Sequence, residues 1–370
     1  MIKIKTKVIV MCSLPSLLFW ANGLTQDDGF IIRQRGFIRV SPLYQSWSDD
    51  GTNQLSEMSM PIFVYVPLGE NLSMSLRGSQ ASIRSDMSPE LGGMTDTQIN
   101  LSHYLESSKI VLHAGVNLPT GKKELTLEEF ETSYLISLNR YNFQVHSFGQ
   151  GLNVSPGLSW ALPLSETVVF GLGASYQYRG PFKPFEKMTG RYDPGDEILL
   201  TGGLDFRLSE TSTFSTDVIF TSFGIDKLNG DETFQSGHKI VVNTQLRMYF
   251  DYNELWLFGQ YRSKDKNKIA IAGGLDEEVE KTIPDQIELM GRYRMLLGKG
   301  FYASILAEGR FFNETKVFNK ISIYGLGATL DIPVSTRMKM PVRFKYLTGN
   351  IKGGSNLSGI EVGVGLDWSF

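Results

Sequence analysis

Large apolar residues and small or polar ones alternate along most of this chain with a period of two. The last twelve residues keep the pattern without a break. There Ile360, Val362, Val364, Leu366, Trp368 and Phe370 interleave with Gly359, Glu361, Gly363, Gly365, Asp367 and Ser369. Period two places one set on each face of an extended strand. Upstream, Val168, Phe170, Leu172, Ala174, Tyr176 and Tyr178 oppose Gly171, Gly173, Ser175, Gln177 and Arg179. Met338, Met340, Val342, Phe344 and Tyr346 likewise oppose Lys339, Arg343 and Lys345. A strand with one oily and one charged face fits the wall of a barrel with hydrocarbon outside and water inside. A Lys or Arg turned toward mid-membrane costs roughly 2–4 kcal/mol, and these strands avoid that cost when the oily face points outward. The competing reading is a soluble sandwich whose oily rows meet in a dry middle.

Sixteen strands are predicted, from 36–46 to 357–370. Fourteen is the alternative, because alternation is least regular in the first four and in 254–264. An even count brings both ends of the wall to one side. Seven joints are short, among them Gly69 to Asn71, Pro163 to Ser165 and Gly298 with Lys299. Longer joints lie around 47–58, 83–95, 119–150, 180–195, 224–237, 265–284, 313–318 and 349–356. Short turns alternating with long loops are what the periplasmic and extracellular ends of a barrel give; a sandwich has no reason to sort its loops by length. The fold is therefore predicted to be all-β, a transmembrane antiparallel up-and-down β-barrel over 36–370.

Composition changes this picture little. The chain has 370 residues and ordinary hydrophobic content, and alternation hides a barrel's hydrophobicity from averages. Residues 1–23 read as a secretory signal peptide, with Lys3, Lys5 and Lys7, an apolar core from Val8 to Trp20, and Ala21-Asn22-Gly23 as the cleavage site. A short periplasmic segment, 24–35, follows. Cys12, the only cysteine, falls in the leader, so no disulfide is expected. Without the three leader lysines, 33 basic residues stand against 39 acidic ones, which argues against nucleic acid as a partner. Outer-membrane lipid and lipopolysaccharide are the expected surroundings.

Opposite the oily faces, the predicted interior carries Arg179, Arg207, Arg247, Arg292, Arg294 and Arg310. Arg343 and Lys345 join them, against Asp205, Glu288, Glu308, Glu361 and Asp367. One reading is a watery conduit whose field mildly favours anions. The other is a lumen filled by ion pairs, with Asp205–Arg207, Glu288–Arg292 and Glu308–Arg310 close in sequence. The longest loop, 119–150, holds a helix signal. Thr126 and Glu129 form a capping box, and Leu127, Phe130, Tyr134 and Leu138 recur at helical spacing. That oily stripe needs cover, either in the barrel mouth as a constriction or over the rim. Joining the fifth and sixth strands, the loop resembles the constriction loop of general porins.

Candidate chemistry is sparse. None of the four histidines has metal-ligand spacing, and the Gly171-Leu172-Gly173 stretch precedes no helix. The residues around His146 and Ser147 (VHSFGQG) lack the His-x-Ser-Asn-Gly pattern of the outer-membrane phospholipase. The acidic runs Asp193 to Glu197 and Asp276 to Glu278 are expected to be solvated turns rather than cation sites. No catalytic group, cofactor or metal is expected.

Two strings carry a family resemblance: Gly115-Val116-Asn117-Leu118-Pro119-Thr120-Gly121-Lys122 and Gly149-Gln150-Gly151-Leu152-Asn153-Val154-Ser155-Pro156-Gly157-Leu158. Over roughly 109–180 the chain resembles the outer-membrane transporters grouped under the meta-pathway of phenol degradation. The resemblance implies a barrel passing small solutes, aromatic or hydrophobic compounds among them, inward or outward without energy input. The terminal Trp368 and Phe370 resemble the C-terminal sorting signal of outer-membrane barrels, which implies the barrel-assembly machinery as a partner. Long-chain fatty-acid channels carry a plug of several tens of residues before the barrel, and here about a dozen residues precede the first strand. Any gate is thus expected from loops or lumen side chains. The alternative function is a structural or adhesive surface barrel closed by salt bridges.

Overall fold

The computed structural model describes residues 35–50, 53–86, 88–137 and 140–370. The signal peptide (1–23), all but the last residue of the 24–35 segment, and Leu138 lie outside the described residues.

The first stave of the wall is β1 (Phe37–Val40) with β2 (Leu43–Asp49), split near Pro42, which has no N–H to give a ladder. Next come β3 (Asn53–Pro67), β4 (Leu72–Ser85), a two-piece stave of β5 (Ser88–Met94) and β6 (Thr97–Leu105), and β7 (Ile110–Leu118). The helix α1 (Leu127–Ser137) precedes β8 (Asn153–Pro163) and β9 (Val168–Arg179). After the short β10 (Tyr192–Asp193) the wall resumes with β11 (Glu197–Ser209) and β12 (Ser212–Phe223). Loop strands β13 (Ile225–Leu228) and β14 (Asp231–Gln235) separate these from β15 (Lys239–Phe250) and β16 (Asn253–Lys264). Loop strands β17 (Lys268–Ile271) and β18 (Gly274–Glu277) precede β19 (Gln286–Gly298) and β20 (Phe301–Phe312). The wall ends with β21 (Ile321–Ser335), β22 (Met338–Ile351) and the two pieces β23 (Asn356–Val364) and β24 (Leu366–Ser369).

Nineteen strand segments build the wall, and because three staves are each split in two, the staves number sixteen. Each pairs antiparallel with the next. The last closes on the first, with Phe37 opposite Ser369 and Leu43 opposite Gly363. The five remaining strands form a separate sheet in the long loops. A closed ladder satisfies every wall amide from within, as hydrocarbon requires.

The side chains sort as the alternation predicts. Leu200, Val218, Leu257, Ile305 and Phe344 on the outer face are each roughly half exposed, while Thr201, Ser215, Glu308 and Lys345 on the inner face are buried. Such a band is unstable against water and stable against lipid. The sandwich reading is excluded, because the oily rows do not meet one another. Among the described residues no helix is long and apolar enough to cross a membrane.

Two of the predicted long loops are absent. The stretches 47–58 and 83–95 are mostly strand: β2 runs to Asp49 and β3 begins at Asn53, while β4 runs to Ser85 and β5 begins at Ser88. The physical reason is that the pattern inverts there: Trp47, Leu55, Ile83 and Leu91 are apolar, lie on the inner face and are buried. They extend the wall because something inside the mouth covers them.

Replacing Leu257, outward near the middle of β16, by arginine should cost about 2–4 kcal/mol in a lipid-bilayer unfolding titration. A change under about 0.5 kcal/mol would mean that this face does not meet hydrocarbon.

Candidate functional site

What covers the inverted rows is the loop between β7 and β8. Its helix begins as the capping box requires: the Glu129 amide donates to Thr126 Oγ1 at 3.2 Å, and the Thr126 amide to Glu129 Oε2 at 3.1 Å. Lys122 adds an ion pair to Glu129. The helix face that docks is not the predicted one. Leu127 (71% exposed), Phe130 and Tyr134 face outward, whereas Thr132 and Ile136 are fully buried. Phe130 packs instead on Phe185 of the next loop, ring centroids 4.8 Å apart. In eleven residues apolar groups point in several directions, so the neighbour chooses the buried face. Here the neighbour is the β4–β5 hairpin, where Thr132 Oγ1 donates to the Pro89 carbonyl at 3.4 Å.

Beyond the helix the chain enters the lumen. Phe143, Val145 and Phe148 pack with Ile136 on Trp47, Leu55, Ile83 and Leu91, and on Phe312, Ile321, Ile323 and Leu347. This dry cluster runs along one arc of the wall, from β20 across the closing seam to β5. Its backbone is held by wall side chains. Gln45 Nε2 and Trp47 Nε1 donate to the Tyr141 carbonyl at 2.8 and 2.9 Å, and Arg310 Nη1 to the Arg140 carbonyl at 3.1 Å. The Val145 amide donates to the buried Glu57 carboxylate at 3.1 and 3.2 Å.

A single carboxylate gathers both roots of the loop. Asp96 accepts from the Gly121 amide at 2.8 Å, the Gln150 amide at 2.7 Å and Asn117 Nδ2 at 2.9 Å. The roots are so close that a Cβ on Gly121 would lie 2.2 Å from the Phe148 carbonyl oxygen. One on Gly149 would lie 2.8 Å from that of Lys122. The two strings that carry the family resemblance are therefore the two roots, and their glycines permit the pinch.

Charged residues on the inner face pair with one another from the short-turn end of the wall, at Arg39 and Asp367, to its long-loop end, at Arg179 and Glu197. Lys345 Nζ lies 3.1 Å from Glu308 and 3.0 Å from Glu361; Arg343 lies 3.2 Å from Glu361, and Arg310 3.7 Å from Glu308. Arg247 and Arg292 both lie 3.5 Å from Glu254, Arg294 lies 3.0 Å from Asp331, and Arg179 lies 3.2 Å from Glu197. Arg39 pairs with Asp367 across the closing seam at 2.9 Å. Asp205 and Arg207 stand on the inner face of β11, beside Ser215 and Thr213 of β12. Glu288 sits in the field of Arg310 and Arg262 rather than on Arg292. Residues four apart along a strand are roughly 13 Å apart, so cross-strand neighbours win over sequence neighbours.

The loop acids serve their own turns. Asp196 accepts from the Arg179 amide at 2.9 Å and from the Tyr176 hydroxyl, and Glu278 from the Thr282 amide at 3.2 Å. Among the described residues no group of His, Cys, Asp and Glu could hold a metal ion. Sequence reasoning missed Asp96, Glu57, Trp47, Gln45 and Glu254. Only Asp96 left a signal, as an acid flanked by threonines where the fourth stave breaks.

No protein family and no curated protein matches the sequence. Solved structures match the fold. OprB of Pseudomonas putida aligns over 91% of this chain and 94% of its own, at 10% identity and a TM-score of 0.50. OprD of Pseudomonas aeruginosa aligns over 93% and 97%, at 9% identity and a TM-score of 0.45. The outer membrane protein OpdK of the same organism aligns over 92% and 100%, at 11% identity and a TM-score of 0.45. At these identities the likeness concerns the fold alone, a closed antiparallel barrel.

Removing the clamp by Asp96→Ala should leave the barrel intact and raise the rate of proteolysis within 119–150 by about tenfold or more, since three hydrogen bonds to one charge are lost. Unchanged cleavage would mean the roots are held elsewhere. Acid should act in the same direction. Burial, aided by the positive charge of Arg262, lowers the His146 imidazole from 6.5 to about 4. The released loop takes up that proton near 6.5 and the docked loop does not until about 4. The His146 contribution to docking is thus fully present above pH 6.5 and is lost as pH falls toward 4. Protease sensitivity should rise over that window and flatten in His146→Gln.

Proposed function

We propose that this protein is a non-enzymatic outer-membrane channel through which small solutes pass passively, with the 119–152 loop as its gate. The observation that carries this reading is the seating of that loop inside the mouth on a pinched pair of roots. A loop whose two roots meet at one clamp can leave the lumen as a unit, whereas a wall residue cannot. The inner-face row from Arg179 to Asp367 is the proposed lining, and the excess of basic over acidic residues in that row supports a preference for anions. The resemblance over 109–180 supports aromatic or hydrophobic compounds among the solutes. Trp368 and Phe370 are the proposed signal to the assembly machinery, and lipopolysaccharide the proposed neighbour of the outer face.

The second reading, a barrel closed for structural reasons, is favoured by the burial of the Glu308 and Arg310 side chains to 2% and 1% exposure. Planar-bilayer recording separates the two. Replacing 123–147 by a short glycine–serine linker should raise single-channel conductance severalfold over the wild type. Equal conductance would overturn the gate, and silence from both folded forms would overturn the channel.

A further inference from the structure

A cavity of about 610 Å³ lies between the roots of the 119–152 and 180–196 loops, at the long-loop ends of β8 and β9. That is the size of small-molecule sites. Its lining divides by chemistry. Leu152, Phe182 and Met188 present apolar surface, and Lys123, Lys183 and Arg191 present positive charge. Glu124 is the one acid among the lining residues, and it lies 3.8 Å from Lys183. Two further cations, Lys123 and Arg191, remain to face a ligand. A net positive cavity on an acidic chain is a local arrangement, not a reflection of composition.

The lining is held in place before any ligand arrives. Phe182 and Tyr192 exchange both backbone hydrogen bonds at 2.9 Å, and their rings meet edge to face at 5.7 Å. The Tyr192 hydroxyl donates to Asp226, which also accepts from the Gly195 amide at 2.7 Å. Asn229 fixes the Arg191 backbone from both sides, accepting its amide and donating to its carbonyl at 3.1 Å each. That clamp needs Gly190, at φ +106, where a Cβ would fall 1.5 Å from the Asn229 side-chain oxygen. A fixed ring beside cations on a fixed backbone lowers the ordering cost of binding.

We infer that this cavity binds a small amphiphilic organic anion. Its flat aromatic or short acyl part lies against Phe182, Leu152 and Met188, and its carboxylate sits between Lys123 and Arg191. The site is built from loop roots rather than from the inner-face row, and binding there stands whether or not the barrel conducts.

The test is equilibrium dialysis of 2-naphthoate against the full-length barrel in a neutral detergent, with detergent alone as the blank. Saturable binding of one equivalent is expected, weakening as salt is raised. The double variant Lys123→Gln, Arg191→Gln should bind at least about tenfold more weakly, and so should neutral 2-naphthol to the wild type. As a control, Lys299→Gln with Arg337→Gln, the same charge change in exposed turns at the opposite end, should bind like the wild type. Three results would each overturn the site: no saturable binding, an unchanged Kd in the double variant, or equal affinity for 2-naphthol. Because both substitutions lie outside the wall, retained heat-modifiable gel migration reports that the barrel still folds. Should it not, the salt dependence and the 2-naphthol comparison on the wild type decide the matter. Binding is read at equilibrium, so a silent barrel in conductance leaves this result standing, and the reverse also holds.

Discussion

A backbone amide in hydrocarbon has no water to bond, and the whole wall follows from that constraint. Sixteen staves satisfy it only by closing, so the pairing of Phe37 with Ser369 and of Leu43 with Gly363 holds everything else in register. Closure in turn dictates which face each side chain meets. Leu200, Leu257 and Phe344 look outward because their strand partners are fixed, and Thr201, Glu308 and Lys345 have nowhere to go but in.

A closed wall leaves an interior to be dealt with, and the two levels of this lumen deal with it differently. At the long-loop end the loop core, from Ile136 to Phe148, and the inverted rows of β2 to β5 make a dry packing cluster. Burying such side chains stabilises by roughly 1.5–3 kcal/mol each, which is ample to seat a loop. Below it, Lys345 pairs with Glu308 and Glu361, and the net contribution of these pairs to stability is small, because desolvation offsets the attraction. The seat is therefore hydrophobic, and the ion pairs set charge. Asp96, Glu57 and Gln45 supply direction: each satisfies a loop amide or carbonyl that the lumen would otherwise leave without a partner.

Legibility followed the range of the interaction. The outward rows of β9, β22 and the last twelve residues were readable because alternation is local and lipid rewards it uniformly. The capping box at Thr126 was readable because its partners are three residues apart. The docked face of α1 was not: Leu127, Phe130 and Tyr134 look as oily as Ile136, and only the position of the β4–β5 hairpin distinguishes them. Ion pairs divided in the same way: Glu308 and Arg310, two positions apart on one strand, meet as expected, whereas Arg292 meets Glu254 across the sheet rather than Glu288 along its own strand.

By itself, then, the sequence determined the period, the sixteen staves, the oily exterior and the existence of one long helical loop, since each depends on neighbours within a strand or a turn. Tertiary structure alone decided that the loop lies inside the mouth and that Asp96 pins both its roots. It also made strand of 47–58 and 83–95, because their inward Trp47, Leu55, Ile83 and Leu91 are stable only against residues distant in the chain, Ile136 to Phe148 of the loop and Phe312 to Leu357 of the last staves. Those contacts exist once the wall has closed, and no local pattern encodes them.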